Sequence, residues 1–307
     1  MLGTPARIAL CAFLRMLLIQ ATPRCLAPMH FHLNPTHPHM LTLVPMGGLC
    51  NRLRVVLSAM ALAHDHEADI HVEWFANAEC QADFTQLFVP IGSGRLHIRR
   101  GRIWACPSRR RLLHLPRLLR MAMGYGCQRD DFCPNSTDEV ARLMQRHRRL
   151  YISSGQKLAD YSPECLQRLR PCSDIQQRID ALVRRFAPHT VGVHIRRTDN
   201  VQSMAHSPVE AFIEAMRREV RADGKVRFFL ATDDAEVKER LTRLFPNRII
   251  TQQAPVNRGT LEGMRDAMVD LYCLAATHHL LGSYWSSFTD TAAEIGRIPL
   301  TIVGKES

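Results

Sequence analysis

Lysine is scarce in this sequence. Only four of its 40 basic residues are lysine, Lys157, Lys225, Lys238 and Lys305, so almost all of the positive charge is arginine. Such a bias is typical of GC-rich genomes, but arginine also binds phosphate bidentately, which lysine does not. Metal-binding cysteine pairs are missing too, because the ten cysteines form no CxxC. Their low number and irregular spacing exclude a disulfide scaffold, so we expect reduced, mostly buried thiols and a cytoplasmic location.

The sequence also has no long hydrophobic run. Its best candidate, residues 8–19, is too short to span a membrane and is interrupted by Arg15. This run follows Arg7 in a segment without acids and resembles a targeting peptide. We favour a mis-assigned start, because a strand pattern begins directly after Met40. In either case residues 1–39 are expected to be a disordered leader, and the histidine-rich stretch 30–39 is not expected to bind a metal.

Acidic residues are absent from two stretches, and this absence locates the net charge of +11. Residues 1–64 carry five arginines and residues 84–129 carry ten, whereas residues 65–83 carry six acids and no lysine or arginine. A chain that is basic throughout is therefore excluded. The basic stretch holds few aromatic side chains for stacking on bases, so we expect no nucleic-acid partner. A solvated face, an acidic acceptor site, or a peripheral membrane contact through residues 95–129 fits it better.

What is present is an alternation of strand and helix patterns in a chain long enough for two domains. The strands predicted in the first half are 41–46, 70–75, 96–98 and 150–153, with helices at 80–88, 138–147 and one that ends at His64. In the second half the predicted helices are 174–186, 208–221, 234–245, 260–277 and 287–295, and the strands are 190–195, 226–231, 248–250, 279–282 and 300–303. This order predicts an α/β fold of two Rossmann-like domains facing a cleft. We place them at residues 40–160 and 174–307, with a polar, proline-containing link in 154–173.

The first strand runs through Gly47 and Gly48 into a helix. Leu53, Val56, Leu57, Met60 and Ala63 recur along that helix at steps of three and four, so one face is expected to be buried. The turn would gather free backbone N–H groups and the positive end of the helix dipole, which together suit an anion. The alternative is that the two glycines only permit a tight turn.

Ligands of doubly wound sheets bind beyond the carboxyl ends of the strands. One such end carries His194, Arg196 and Arg197 after a Val/Ile-rich strand, and a buried arginine requires an anion. The alternative there is an internal ion pair of Arg197 with Asp199. The next end carries Asp233 and Asp234, of which one is expected simply to cap the following helix.

The third strand end continues into Ser286, Ser287 and Asp290 at a helix start. The S-x-x-D spacing is a capping pattern, and the same serines with the first helical N–H groups suit a phosphate or oxyanion. On the preceding helix, Asp266 and Asp270 lie one turn apart. They would either accept from a ribose or sugar hydroxyl or be solvated.

Four motifs occur together in one order: GGLCNRLR at 47–54, HIRRTDN at 194–200, FFLATDD at 228–234, and residues 266–296 with GSYWSSF. In this combination the chain resembles the fucosyltransferase superfamily, which includes nodulation-type bacterial enzymes and core and protein O-fucosyltransferases. The resemblance extends over residues 41–303. It implies a GT-B fold and a metal-independent, inverting transfer of fucose from GDP-fucose to a glycan, a lipid-linked glycan or a protein.

The resemblance also implies residue roles. Arg196 would stabilise the charge that grows on the β-phosphate, while His194 and Arg197 position the nucleotide and Asp233 lies near the nucleoside. The other positions implied to bind the donor are Ser286, Ser287, Phe288, Gly47, Gly48, Asn51 and Arg52. No metal ligand is implied.

Two departures from the family pattern stand out. Cys50 replaces a usual glycine, and the residues that follow Asp199 supply no obvious general base. Position alone offers candidate bases at His206, Glu210, Asp65, Glu67 and Glu73. Three alternative functions stay open: use of another nucleotide sugar, an inactive nucleotide-sugar-binding relative, and a nucleic-acid-binding protein.

Overall fold

The computed structural model describes residues 39–66, 68–92, 94–197, 201–253 and 259–304, with the backbone alone at residues 201 and 202. The predicted leader up to residue 38, Glu67 and Asp199 lie outside these residues, and so does the predicted pairing of Arg197 with Asp199. No helix in the described ranges is long and apolar enough to cross a membrane.

The first half forms a five-stranded sheet in which all neighbouring strands are parallel. Its strands are β1 His39–Pro45, β2 Ala68–Trp74, β3 Leu96–Arg100, β4 Cys127–Arg129 and β5 Arg149–Ser154, in the order β3-β2-β1-β5-β4. Its helices are α1 Leu49–Asp65, α2 Leu115–Ala122, α3 Glu139–Arg146 and α4 Pro163–Arg168. The central strand β1 places Leu41 opposite Ile70 and Leu150. All three are buried, as expected for a parallel sheet covered on both faces.

The second half forms another five-stranded parallel sheet. Its strands are β6 Val191–Ile195, β7 Phe228–Thr232, β8 Ile249–Ile250, β9 His279–Gly282 and β10 Leu300–Ile302, in the order β10-β9-β6-β7-β8. Its helices are α5 Ser173–Val183, α6 Val201–His206, α7 Val209–Ala222, α8 Ala235–Leu244, α9 Leu261–Ala275 and α10 Ser287–Gly296. Strand β6 is central, so the residues that follow it lie in the middle of the sheet's carboxyl edge, where ligands bind in such folds.

Helix α1 is buried on nearly all sides rather than on one face, with twelve of its 17 residues buried. It contacts β1 and β2 on one side and α10 on another. A single apolar cluster consequently runs from Leu41 through Leu53 to Met268 and Ala292, across both sheets. A second cluster, around Phe212 and Leu230, fills the far side of the second sheet. The sequence predicted one buried face for α1. More of the helix is buried because residues of the second half of the chain cover a further side of it.

Most predicted elements are present, but the helix predicted at 80–88 is wrong. This segment contains only the single 3-10 turn Phe84–Gln86. Trp74 donates from Nε1 to the carbonyl of Ala82, and the Asp83 backbone N–H donates to the Gln86 side chain. These bonds fix a loop in which Phe84, Leu87 and Phe88 are buried at helix-like spacing. The sequence analysis missed α2, α4, α6 and β4, which are eight residues or shorter.

The cysteines of the described ranges lie both in the interior and on the surface. All eight in the described ranges are free, and four of them, Cys50, Cys80, Cys127 and Cys273, are buried. Cys133 is exposed. No disulfide links the described parts of the chain.

Candidate active site

A cavity of about 920 Å³ lies between the two sheets and is lined by residues from both halves of the chain. Its volume is in the range typical of nucleotide-sized ligands. The first half contributes the start of α1 and a loop after β2. The second half contributes the ends of β6 and β7, one side of α9 and the start of α10. Lining residues include Gly48, Asn51, His194, Arg196, Asp233 and Ser287.

Arg196 and Asp233 come together where β6 and β7 end. Arg196 Nη1 lies 3.2 Å from Asp233 Oδ2, and both side chains are mostly buried, at 13% and 9% exposed. The other carboxylate oxygen of Asp233 accepts from the backbone N–H of Arg197 at 2.8 Å. Ser283, which follows β9, also holds the backbone at the end of β6. Its hydroxyl accepts from the Arg196 backbone N–H at 3.0 Å and donates to the His194 carbonyl at 3.2 Å. The guanidinium of Arg196 is thereby held at the cavity wall.

Arg197 is the second residue after the end of β6. It does not line the cavity, and its Nη1 is buried without a hydrogen-bond partner in the described structure. Asp234 is only a helix cap: its carboxylate accepts from the N–H groups of Glu236 and Val237 at 2.9 and 3.1 Å. Of the four charged residues predicted at these two strand ends, the structure thus brings Arg196 and Asp233 to the cavity.

His194 is a buried, neutral ring. Its Nδ1 lies 2.7 Å from Thr289 Oγ1, and its ring stacks on Phe288 with centroids 4.9 Å apart. Burial, and then the nearby Arg196 charge, lower the pKa of His194 to about 4. It therefore carries no charge near neutral pH and cannot act there as a cationic donor. Its contacts instead connect β6 to the start of α10.

Helix α10 begins at the cavity. Ser286 caps it by accepting from the Thr289 N–H at 3.5 Å, and the N–H groups of Ser287 and Phe288 have no hydrogen-bond partner among the described residues. The preceding Trp285 lines the cavity, is 72% exposed and has a left-handed backbone with φ of 54°. Free N–H groups at a helix N-terminus attract an anion.

Helix α1 begins at the same cavity. Gly47 has φ of 77°, and a Cβ there would lie 2.9 Å from Asn51 Nδ2, so this tight turn requires glycine. No side chain caps the helix, which leaves the first backbone N–H groups unpaired within the described structure. Cys50 lies in the first helical turn with negative φ, so replacement of the family's glycine causes no strain. Burial raises the pKa of the Cys50 thiol to about 12, which excludes it as a nucleophile.

The prediction that Arg52 lines the cleft is wrong. Its side chain is fully buried and lies over the Trp74 ring at 5.2 Å. The guanidinium donates to the carbonyls of Gly47 and Phe75 and to Asn77 Oδ1. Arg52 therefore holds together the loops that follow β1 and β2. The arginine that lines the cavity from this helix is Arg54, which forms an ion pair with Asp290 at 2.8 Å.

Asp270 on α9 also lines the cavity. It accepts from Gln252 Nε2 at 2.6 Å, and its burial raises the pKa to about 7. Its neighbour Asp266 is instead paired with Arg178 on α5 and does not line the cavity. Of the two acids that the sequence analysis noted on this helix, the structure selects Asp270.

The candidate general bases lie elsewhere. Glu73 is buried between Arg99 and Arg102, Glu210 pairs with Arg240, Asp65 is exposed beside His64, and His206 packs on Tyr284. None of these four lines the cavity. Glu79, which the sequence analysis missed, does line it, from the loop after β2. Its backbone N–H is held by Asn77 Oδ1 at 3.0 Å, and its carboxylate has no hydrogen bond or ion pair among the described residues.

The cavity is not simply basic. Arg54 and Arg196 face four carboxylates, those of Glu79, Asp233, Asp270 and Asp290. Each arginine is paired with one of the acids, so positive potential for an anion depends largely on the two helix N-termini. Within the described ranges, no three His, Cys, Asp or Glu side chains lie together in a way that could hold a metal ion.

Solved structures with a similar arrangement of the two sheets define the fold class. NodZ alpha-1,6-fucosyltransferase soaked with GDP-fucose superimposes with a TM-score of 0.57 at 19% identity, covering 87% of this chain and 95% of that chain. POFUT1 in complex with GDP gives a TM-score of 0.58 at 13% identity, covering 87% and 98%. At these identities the likeness is one of fold. It confirms the predicted GT-B architecture of two Rossmann-like sheets.

Sequence comparison then gives the family. Residues 119–297, more than half of the chain, match the family described as alpha-(1,6)-fucosyltransferase N- and catalytic domains, so the chain belongs to it. An alpha-(1,6)-fucosyltransferase of Drosophila melanogaster is 32% identical in an alignment of 119 residues that covers 34% of this chain and 19% of that protein. Nodulation protein Z of Bradyrhizobium diazoefficiens is 32% identical in an alignment of 133 residues that covers 36% of this chain and 36% of that protein. The match thus spans about a fifth and about a third of these two relatives.

Proposed function

We propose that this protein transfers fucose from GDP-fucose to an acceptor hydroxyl, with inversion at the anomeric carbon. The observation that carries the proposal is the convergence of Arg196 and the N-termini of α1 and α10 on one cavity. A guanidinium and two sets of unpaired backbone N–H groups match the charge and hydrogen-bonding needs of a diphosphate. Two proteins of similar fold agree with this donor: NodZ was soaked with GDP-fucose, and POFUT1 is in complex with GDP.

Asp270 suits recognition of the base. A guanine ring presents two adjacent N–H donors, and a carboxylate accepts from both. Asp233 is less suited to this role because its oxygens already accept from Arg196 and the Arg197 backbone. Among the described residues Asp270 accepts a hydrogen bond only from Gln252, and its remaining acceptor capacity is available to a ligand.

The proposed reaction is a single displacement. The acceptor oxygen forms a bond to the anomeric carbon while the bond from that carbon to the β-phosphate oxygen breaks, and GDP leaves with its electron pair. Arg196 stabilises the charge that develops on the phosphate, and Asp233 holds its guanidinium in place. Glu79 approaches from the first half of the chain and takes the proton of the acceptor hydroxyl. A base and a leaving group on opposite sides of the sugar give inversion.

Metal independence belongs to the same proposal. The groups that contact the diphosphate would be Arg196 and the N–H groups of Ser287, Phe288 and the start of α1, and together they supply the positive potential that a bound cation would otherwise supply. Turnover should therefore continue in EDTA, and its loss there would contradict this part of the proposal.

Nucleotide binding is the most direct test. GDP should raise the melting temperature, because a ligand that binds only the folded state stabilises it, whereas UDP and NAD should not. Release of GDP from GDP-fucose in the presence of an acceptor glycan then tests turnover. Stabilisation by UDP in place of GDP would replace the proposed donor with another nucleotide sugar. Stabilisation without turnover would assign the chain to inactive relatives.

A further inference from the structure

Large apolar side chains are exposed in one segment of the chain. Ten such side chains are exposed in the described structure, and eight of them lie between residues 103 and 123. We call these eight the Leu113 surface: Ile103, Leu112, Leu113, Leu115, Leu118, Leu119, Met121 and Met123. Single exposed leucines are ordinary on a protein surface, but a concentration of this kind marks an interaction site.

Helix α2 carries much of this surface, and its apolar side chains are exposed while an arginine is buried. Its two buried residues are Pro116 and Arg120, while Leu115, Leu118 and Met121 face outward. Arg120 lies 3.6 Å above the Tyr151 ring, donates to the Cys106 carbonyl at 2.8 Å and pairs with Asp130. An arginine thus anchors the helix to the protein and leaves its leucines without a partner. The exposed side chains of this helix therefore add little buried apolar area to the fold.

The turn before α2 presents a further leucine. Leu113 and His114 both adopt left-handed backbone conformations, with φ of 49° and 54°. This conformation is uncommon for leucine, and Leu113 is 81% exposed. Ser108 Oγ lies 2.8 Å from His114 Nδ1 and holds the turn. The side chain is therefore displayed by an ordered turn.

The exposed charges on the segment that carries the surface are arginines, while the nearby Asp130 is paired with Arg120. Arg109, Arg110, Arg111 and Arg117 are exposed and form no ion pair within the described ranges. Residues 84–129 contain no acid at all. An occupant must therefore be anionic as well as apolar. Nucleic acid is less well matched because leucine and methionine, rather than aromatic rings, dominate the surface.

We propose that the Leu113 surface docks on an anionic lipid bilayer. Leucine and methionine side chains of a short amphipathic helix enter the boundary between headgroups and acyl chains, and arginines bind the surrounding phosphates. A bilayer offers an apolar boundary to the leucine and methionine side chains and phosphates to the arginines, side by side. The proposal is independent of the proposed catalytic function, because no residue of the surface lines the cavity.

The test is co-sedimentation of the full-length protein with vesicles. Phosphatidylcholine vesicles with about one third phosphatidylglycerol should bind the protein, and phosphatidylcholine alone should bind it weakly. Leu113→Ser/Leu118→Ser and Arg110→Gln/Arg111→Gln should each reduce the bound-to-free ratio on anionic vesicles by about tenfold. Leu244→Ser/Arg243→Gln is the matched control, since Leu244 is also exposed but lies in the other half of the chain. It should bind like the unmodified protein.

An unchanged melting temperature shows that each variant is folded, and an unchanged GDP-induced shift shows that the cavity is intact. Equal vesicle binding by all variants, or no binding by the unmodified protein, would overturn the proposal. Concentration-dependent self-association that only Leu113→Ser/Leu118→Ser abolishes would assign the surface to a second copy of the chain. Binding of a single-stranded oligonucleotide that only the arginine variant loses, without vesicle binding, would assign it to nucleic acid.

Discussion

Arg54 Nη2 and Asp290 Oδ2 lie 2.8 Å apart and join the helix that starts after β1 to the helix that starts after β9. The two residues are 236 positions apart in sequence, and both line the cavity. Arg54 therefore neutralises an acid that would otherwise stand beside the proposed diphosphate site. Partial exposure of 21% and 44% limits its contribution to stability to about 1 kcal/mol or less.

This pairing predicts a rescue experiment. Arg54→Gln should weaken GDP binding, because it leaves the Asp290 charge unopposed next to the diphosphate. Arg54→Gln/Asp290→Asn should recover most of the lost affinity, since the repulsion is removed with the acid. Calorimetric titration of GDP into the three proteins measures both steps. If the double variant binds more weakly than Arg54→Gln, Arg54 contacts the nucleotide directly and the neutralising role is wrong.

The two arginines of the family motifs should respond in opposite ways. Arg52→Ala removes three hydrogen bonds, to the carbonyls of Gly47 and Phe75 and to Asn77 Oδ1, and the packing of a fully buried side chain, so the free energy of unfolding should fall by about 3 kcal/mol or more. Arg196→Ala leaves no core cavity and should stay folded, while turnover falls about 10²- to 10³-fold. Thermal melts and GDP release, measured on both variants, separate the two roles. Near-normal turnover in Arg196→Ala would remove it from the mechanism.

The parts of the fold and of the candidate site that can be predicted from the sequence are those set by local residue patterns. Strand β6 and the residues after it follow from a local pattern of Val/Ile residues and charges, and so do the Gly47–Gly48 turn and the Ser286 cap. The burial of Arg52 depends on carbonyls 23 and 25 residues away, which no local pattern reports. Glu79 reaches the cavity because Asn77 and Trp74 shape an irregular loop, where the sequence pattern predicted a helix from residue 80. The errors therefore arose from specific side-chain hydrogen bonds, distant in sequence for Arg52 and nearby for the loop that carries Glu79, which a hydrophobic pattern does not report.

Asp270 predicts a dependence on pH. The pKa of this carboxyl is raised to about 7 in the folded protein, from an ordinary value of 3.8, so its buried charge destabilises the fold as pH rises between these values. At pH 8 the free energy of unfolding of Asp270→Asn should therefore exceed that of the unmodified protein by up to about 4 kcal/mol, and at pH 4 the two should differ little. The exposed Asp65→Asn is the control and should change neither value. His194 is common to all three proteins, so its own titration cancels.

The same variant should bind GDP poorly despite its greater stability, since asparagine presents a single acceptor oxygen to the base. In the unmodified protein GDP affinity should rise from pH 6 to pH 8, as the carboxylate ionises. Binding that is independent of pH and unaffected by Asp270→Asn would exclude Asp270 from base recognition and leave its burial unexplained by function.

Glu79 gives the sharpest test of the proposed chemistry, because it is the one described carboxylate that reaches the cavity from the first half of the chain. Glu79→Gln keeps the shape of the side chain but cannot accept a proton, so kcat should fall about 10²- to 10⁴-fold while the KM for GDP-fucose stays near its original value. Its loss of turnover should be partly offset at high pH, where hydroxide replaces the base. Glu79→Asp, which retains a carboxylate on a shorter side chain, should keep more activity than Glu79→Gln. A similar loss in both variants, with an unchanged pH profile, would mean that Glu79 only positions the acceptor.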